Sequence, residues 1–219
     1  MSDQSFTPAL GWLGSVGIYD RAIRLLTREQ VWRAALLRQV APQAGELILD
    51  VGCGTGTFAI MLKRLCPAAR VVALDPDSDV LRIASRKGME AGVSIEWRQG
   101  FATDAEALGA TADKAVSSLV FHQVPMAGKR AGIAAMFAAV RQGGEVHIAD
   151  YASQSSFMRA MFRLTVQQID GVADTQPNAD GALEAILSNQ SGAPVGPTRA
   201  IPTPTGAISL FKVQKPGSL

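Results

Sequence analysis

Leu47-Ile48-Leu49-Asp50-Val51 is a short, almost continuously apolar run, and Gly52-Cys53-Gly54-Thr55-Gly56 follows it directly. An apolar run of that length ending in glycine suits a strand buried on both faces. Phe58, Met61, Leu62 and Leu65 then recur at helical spacing until Pro67. Strand, glycine loop and helix in that order form the first turn of an open parallel sheet, where such sheets bind ligands. Glycines at alternate positions let the backbone turn tightly and let a ligand approach without a Cβ in the way.

The alternation recurs along the chain. Residues 71–74 read as a strand and 79–88 as a helix; 115–121 with 126–141, and 145–149 with 155–169, repeat the pair. Residues 93–98 read as a further strand. Ahead of the first strand, Ile23, Leu26, Val31, Ala34 and Leu37 keep helical spacing from about 18 to 40, and Ala41-Pro42 closes that segment. Strands alternating with helices call for crossover connections, hence a parallel sheet with helices on both faces. Residues 207–213 follow Ile201 and Pro202 too closely for a crossover helix, so these two strands should pair antiparallel. A chain of 219 residues, 47% hydrophobic and 18% charged, has the size and composition of one globular domain.

Several classes drop out. The formal charge is +2 with Lys and Arg scattered, which gives no nucleic-acid-binding face. The first ten residues have neither the basic nor the apolar region of a secretory signal, and no apolar stretch is long enough to insert into a membrane. Cys53 and Cys66 cannot supply a disulfide framework or a Cys-rich metal site, so a reduced cytoplasmic location and no metal are expected. Nothing in the pattern specifies an oligomer.

Residues 71–75, Val-Val-Ala-Leu-Asp, form an apolar strand ending in a carboxylate, 19 residues beyond Gly56. A carboxylate at that tip, beside the glycine loop, can accept both hydroxyls of a ribose. The nicotinamide fingerprint needs a glycine five residues after the first, where Thr57 stands. That departure and the terminal hairpin both count against an NAD-dependent oxidoreductase.

These residues resemble class I S-adenosylmethionine (SAM)-dependent methyltransferases, and more narrowly the small-molecule branch related to ubiquinone/menaquinone-biosynthesis C-methyltransferases. The resemblance runs from about Gly17 to Lys215 and rests on Leu49 to Gly56, on Ala73-Leu74-Asp75-Pro76, on residues 113–120 and on residues 143–151. It implies an α/β Rossmann-like, doubly wound, mostly parallel seven-stranded sheet with an antiparallel C-terminal hairpin and helices on both faces. It divides the domain into an N-terminal helical lid (1–40), a SAM-binding core (41–150), a helical cap (151–190) and the hairpin (191–219). It also implies residue roles. Asp50 and the backbone of Gly52, Cys53, Gly54 and Gly56 would cradle the methionine part of SAM. Asp75 would hold the ribose, Pro76 would flank the adenine, and Ser118 would touch the sulfonium end. Tyr19 matches a tyrosine that closes over the cofactor. Where the family has Gly-Asp-Ala after its third strand, this chain has Gly100-Phe101-Ala102. Phe101 can pack on adenine but cannot accept from its amino group, which leaves backbone groups or Asp104 to read it.

The expected activity is transfer of the SAM methyl to O, N, S or C of a small-molecule acceptor. A base is needed only when the acceptor must lose a proton. His122, just past the fourth strand, is the candidate; the other reading is a histidine that packs the turn. His147, within the fifth strand, reads as a buried hydrogen-bonded residue. Asp150 could orient substrate or cap the following helix. Trp12, Phe157, Met158, Met161 and Phe162 could line an apolar acceptor site or belong to the core. The rival readings are a non-catalytic SAM- or nucleoside-binding protein, whose glycine loop would have decayed, and a nucleic-acid methyltransferase, whose Asn-Pro-Pro-Tyr-type motif is replaced by Ser117-Ser118-Leu119-Val120.

Overall fold

A computed structural model describes residues 28–108 and 111–217. Trp12, Tyr19 and the rest of the expected lid before Arg28 lie outside the described residues. Five strands run parallel: β1 (Leu47–Val51), β2 (Arg70–Asp75), β3 (Glu96–Gln99), β4 (Ala112–Ser118) and β5 (Val140–Tyr151). With β6 (Arg199–Thr203) and β7 (Gly206–Gln214) they form one seven-stranded sheet in the order β3-β2-β1-β4-β5-β7-β6. β7 is antiparallel to both its neighbours, so the expected C-terminal hairpin closes the sheet.

Alternate residues of the central strands face opposite sides. Leu49, Val51 and Ala115 pack with Ile133, Met136 and Phe137 of α4 (Met126–Ala139) and with Leu183 and Leu187 of α8 (Ala182–Ser191). Ile48, Val71, Ala73 and Val116 pack instead with Trp32 and Leu36 of α1 (Glu29–Val40) and with Phe58 and Leu62 of α2 (Thr57–Leu65). Helices on both faces are the reason β1 is apolar at every position but Asp50 instead of alternating. On α3 (Ser78–Glu90) the N-cap is Asp77, whose Oδ1 accepts from Asp79 N at 2.9 Å and Val80 N at 3.2 Å.

β3 covers Glu96–Gln99 in place of the expected 93–98, and among the other boundaries that differ from the sequence expectation three have a visible cause. β4 stops at Ser118 because Leu119 takes a left-handed conformation, φ 56, and Phe121–Gln123 becomes a 3-10 turn. β5 starts at Val140, which pairs with Ala112 before a register shift places Glu145 opposite Lys114. Pairing thus overrides the helical signal at 140–141. The helix expected over 155–169 breaks at Thr165 (φ −123, ψ −82) into α5 (Ser156–Leu164) and α6 (Val166–Asp170). Thr165 Oγ1 donates to Met161 O at 2.7 Å, a side-chain bond that competes with the helical ladder. α7 (Val172–Ala179) and α8 complete the segment.

Gly56 opens α2 at φ 74, and a Cβ there would stand 2.5 Å from the Trp97 ring and 2.9 Å from Ala84 Cβ. Gly56→Ala should therefore cost about 1–3 kcal/mol through left-handed strain and overpacking. A urea titration reads this as a lower midpoint with an unchanged slope; an unshifted midpoint would mean α2 and α3 separate freely to admit the methyl group.

Candidate active site

β1 and β4 are neighbours although β2 and β3 lie between them in sequence, so the strand order reverses there and a crevice opens at the strand ends. The glycine loop occupies it. Gly52 N and Cys53 N both donate to Leu74 O, at 2.8 and 3.0 Å, and Gly54 N donates to Asp75 Oδ2 at 2.8 Å. Gly52 has φ 70, and a Cβ on it would lie 2.3 Å from Val120 Cγ2, so only glycine lets the loop lie against the turn after β4. Gly54 is the opposite case: a Cβ there would meet nothing within 4 Å. Lys87 of α3 braces the loop, its Nζ donating to Thr55 O at 2.8 Å, Thr55 Oγ1 at 3.0 Å and Thr57 Oγ1 at 2.9 Å.

Under the loop, Asp50 is fully buried; among the described residues no group makes a well-aligned hydrogen bond to either carboxylate oxygen, and the backbone N–H of Ala59 in α2 is the donor beside it, opposing the effect of burial. Burial pushes its pKa up to about 7; Arg33 opposes this and Asp75 adds to it. A buried ionised carboxylate without a well-aligned donor is costly, so this position fits a cationic or N–H-bearing group. Burial also raises Asp75, while its bonds from Asp77 N (3.1 Å) and Gly54 N pull the other way. Cys53 is held as the neutral thiol, first by burial and then by Asp50 and Asp75.

The neighbouring strand ends bring the other expected residues together. Pro76 O accepts from Gln99 Nε2 at 3.1 Å, and Gly100 N donates to Asp75 O at 3.1 Å. Phe101 is 38% exposed. Its N–H goes to Asp104 Oδ2 at 2.8 Å, which commits that oxygen of Asp104 to the 3-10 turn Ala102–Leu108. Ser118 ends β4 opposite Ala149.

Past Ser118, the left-handed Leu119 turns three consecutive N–H groups toward one acceptor. Val120, Phe121 and His122 donate to Asp150 Oδ2 at 3.1, 2.7 and 3.3 Å. Asp150 Oδ1 takes Tyr151 N at 2.8 Å and His122 Nδ1 at 2.7 Å. Asp150 thus caps the turn before α4, neither of the roles its position in the sequence suggested. His122 Nε2 lies 3.4 Å from Asp170 Oδ2. Burial alone would lower the imidazole pKa, but Asp150 and then Asp170 outweigh it and hold the ring at about 9. Both ring nitrogens thus face carboxylates, Nδ1 hydrogen-bonded to Asp150 and Nε2 in an ion-pair contact with Asp170, and in this geometry the ring anchors the turn.

Residues 48–144 match a family described as a methyltransferase domain. An uncharacterized methyltransferase of Mycobacterium bovis is 30% identical over 151 residues, 67% of this chain and 73% of that protein. The chain belongs to the methyltransferase family. A demethylmenaquinone methyltransferase of Clavibacter sepedonicus is 31% identical over 137 residues, 62% of this chain and 54% of that one. A ubiquinone biosynthesis O-methyltransferase of Methylobacterium sp. is 33% identical over 134 residues, 56% and 52% of the two chains. The chain therefore spans about half the length of these two relatives. An O-methyltransferase family protein of Burkholderia thailandensis shares the fold, with TM-score 0.70, 17% identity and 92% and 59% of the two chains covered. So does magnesium protoporphyrin IX methyltransferase of Synechocystis PCC 6803, solved with bound S-adenosylhomocysteine, with TM-score 0.68, 18% identity and 93% and 90% covered.

Other residues singled out in the methyltransferase sequence take different places. His147 is buried in mid-strand, its Nε2 3.0 Å from Glu145 Oε2 and its Nδ1 3.3 Å from Gln39 Nε2, and burial lowers its pKa against the pull of Glu145. Phe162 is core, fully buried with its ring centroid 5.0 Å from that of Tyr151. Phe157 is 69% exposed, and Met158 and Met161 are half-buried. Among the described residues no helix is long and apolar enough to cross a membrane. Two residues of the polar framework went unnoticed in the sequence. Lys87 carries no local signature. Lys129 shares the buried stripe of α4 with Gly132, Ile133, Met136 and Phe137, and a lone lysine on such a stripe is a readable signal.

The folded pKa of His122, about 9, lies above the ordinary 6.5. Its charge therefore stabilises fully below about pH 6.5, and that contribution is lost as pH rises through about 9. Lys129, pushed down to about 8 by burial, runs in the opposite sense, so the difference between wild type and His122→Gln isolates the ring. That difference, from urea unfolding, should be about 3 kcal/mol near pH 6 and shrink toward pH 10. A difference independent of pH would mean that folding leaves the pKa of the ring unshifted.

Proposed function

We propose that this methyltransferase carries a methyl group from S-adenosylmethionine to a small-molecule acceptor. The observation that carries the reading is the buried Asp50 carboxylate, with no well-aligned hydrogen bond among the described residues, beneath an open glycine loop. When bound, SAM supplies a methyl on a sulfonium already activated for in-line displacement. The chain binds and aligns. The backbone of Gly52, Cys53, Gly54 and Gly56 would receive the methionine part, with Asp50 taking its ammonium. Asp75 spends two acceptor sites on Gly54 N and Asp77 N and keeps others for the ribose hydroxyls. Pro76, Gly100, Phe101 and Ala102 would flank the adenine, and Ser118 would face the sulfonium end. Tyr19 would close over them from the lid. Alignment of this kind supplies about 7–11 kcal/mol, enough for a reactive acceptor without a general base.

In this reading residues 41–150 form the cofactor half, 151–190 the cap over the acceptor, 191–219 the hairpin and 1–40 the lid. A small acceptor is supported by relatives named for menaquinone and ubiquinone biosynthesis. The scattered charge and the +2 balance support it over nucleic acid, and the two cysteines fit a cytoplasmic setting.

Calorimetric titration tests this with S-adenosylhomocysteine, and with NAD as the control that should give no heat. Asp75→Asn should weaken binding by about 1.5–3 kcal/mol, and Gly54→Val should abolish it in a folded protein. Asp50 titrates near pH 7, and an ammonium beside it lowers its pKa. Binding somewhat below pH 7 should therefore release a proton and strengthen as pH rises. Full affinity in folded Gly54→Val overturns the loop assignment, and heats independent of buffer ionisation remove Asp50 from the site.

A further inference from the structure

The geometry points to Asp170 as a positioning residue for the acceptor site: acting through His122, it latches residues 166–174 of the cap onto the tip of β4. This rests on the reading above that the cap covers the acceptor.

The latched stretch is poorly held by apolar burial. Val166 is its buried apolar anchor, whereas Ile169 is 63% and Val172 54% exposed. Gly171, at φ 81, joins α6 to α7, and a Cβ there would meet nothing within 4 Å. Polar groups from the core do the holding. His122 Nε2 reaches Asp170 Oδ2 at 3.4 Å at the end of α6. The fully buried Lys129 of α4 donates from one Nζ to Asp174 O of α7 at 2.8 Å, to His122 O at 3.1 Å and to Phe121 O. The turn after β4 is thus gripped by α4 and β5 and in turn grips both cap helices.

The two sides of His122 differ. Asp150 belongs to the sheet, is fully buried, and meets Nδ1 at 2.7 Å, the usual length of a charge-assisted bond. Asp170 belongs to the cap, is partly exposed, and meets Nε2 at a longer 3.4 Å. When the cap lifts, the contact that parts is the looser one, and Asp150 keeps the proton on the ring. The charged and titratable groups around the imidazole are Asp150 and Tyr151 of β5, Asp170 of α6, Lys129 of α4 and Asp174 of α7. A carboxylate on the moving part facing a retained cation on the fixed part lets acceptor entry and cap closure proceed without unfolding the turn.

The test uses the full chain as wild type, Asp170→Asn and Asp170→Glu. Amide exchange is followed peptide by peptide, and the His122 ring nitrogens are followed by 15N spectroscopy. In Asp170→Asn, exchange across 166–174 should rise roughly ten- to hundredfold, as expected for loss of one charged contact, while α4 and β5 stay protected. The His122 ring should titrate at lower pH, and Asp170→Glu should restore both readouts. In wild type, protection of 166–174, corrected for intrinsic rates, should fall along the titration curve of the ring, a comparison that needs no variant. Unchanged exchange in Asp170→Asn overturns the latch, and so does a uniform rise in every element or a ring titration left as in wild type. Calorimetry with S-adenosylhomocysteine separates the two readings. Wild type that fails to bind it overturns the methyltransferase reading, whereas bound wild type with an unmoved cap in Asp170→Asn overturns the latch alone.

Discussion

The carboxylate of Asp150 sits fully buried at the tip of β5 and accepts from four backbone N–H groups and one imidazole N–H. A strand that ends inside a protein leaves N–H groups that must find partners. Here β4 ends on a left-handed Leu119, a conformation that costs about 1–2 kcal/mol for such a residue. Several hydrogen bonds to a charged acceptor, each worth about 1.5–3 kcal/mol, offset it. Once the turn is fixed, Val120 packs on Gly52 and forms one wall of the glycine loop, and Lys129 and His122 carry the turn's position outward to the cap. One side chain therefore sets the geometry of the loop, the turn and the cap together.

Asp50 and Asp150 make an instructive pair. Both are fully buried carboxylates near the C-terminal ends of parallel strands. Asp150 is saturated with donors, and its cost of burial is met within the protein. Asp50 has no well-aligned donor among the described residues, only the Ala59 N–H beside it, and burial raises it to about 7. The difference separates a carboxylate that builds the turn from one with acceptor capacity to spare, since the N–H groups of the glycine loop that follows Asp50 are spent elsewhere. Gly52 and Cys53 give theirs to Leu74, and Gly54 gives its own to Asp75.

Helical breaks in the cap follow from competition for the same backbone groups. Thr165 bonds back to Met161 and also contacts Thr205 O at 3.4 Å, tying the end of α5 to the hairpin turn. Tyr151 bonds to Thr205 Oγ1 at 2.6 Å and packs against Phe162, which takes that residue out of any acceptor surface and into the core. The apolar pattern over 155–169 was thus a true helical signal interrupted by a side chain whose partner lies forty residues away.

The amino-acid sequence by itself determined the layered α/β fold, the parallel core with its terminal hairpin and the glycine loop. Each is written in local, periodic terms: an apolar run long enough for one buried strand, helical spacing after it, a turn too short for a crossover. The places of Asp50, Asp75 and the three glycines beside one another were legible because each is set by its distance from the end of β1 or β2. Only the tertiary structure decided what the polar side chains at the other strand ends do. His122 is a candidate base or turn-packing residue in sequence, and only the fold places Asp150 and Asp170, 28 and 48 residues further on, against its two nitrogens. Lys87, Lys129 and Asp170 acquire partners through the crossovers that bring distant segments together, and a charge has no periodicity to announce which segment it will meet. Hydrophobic burial acts on patterns along the chain and can be read there; hydrogen bonds and ion pairs depend on distances of a few ångströms, which exist only after the chain has folded.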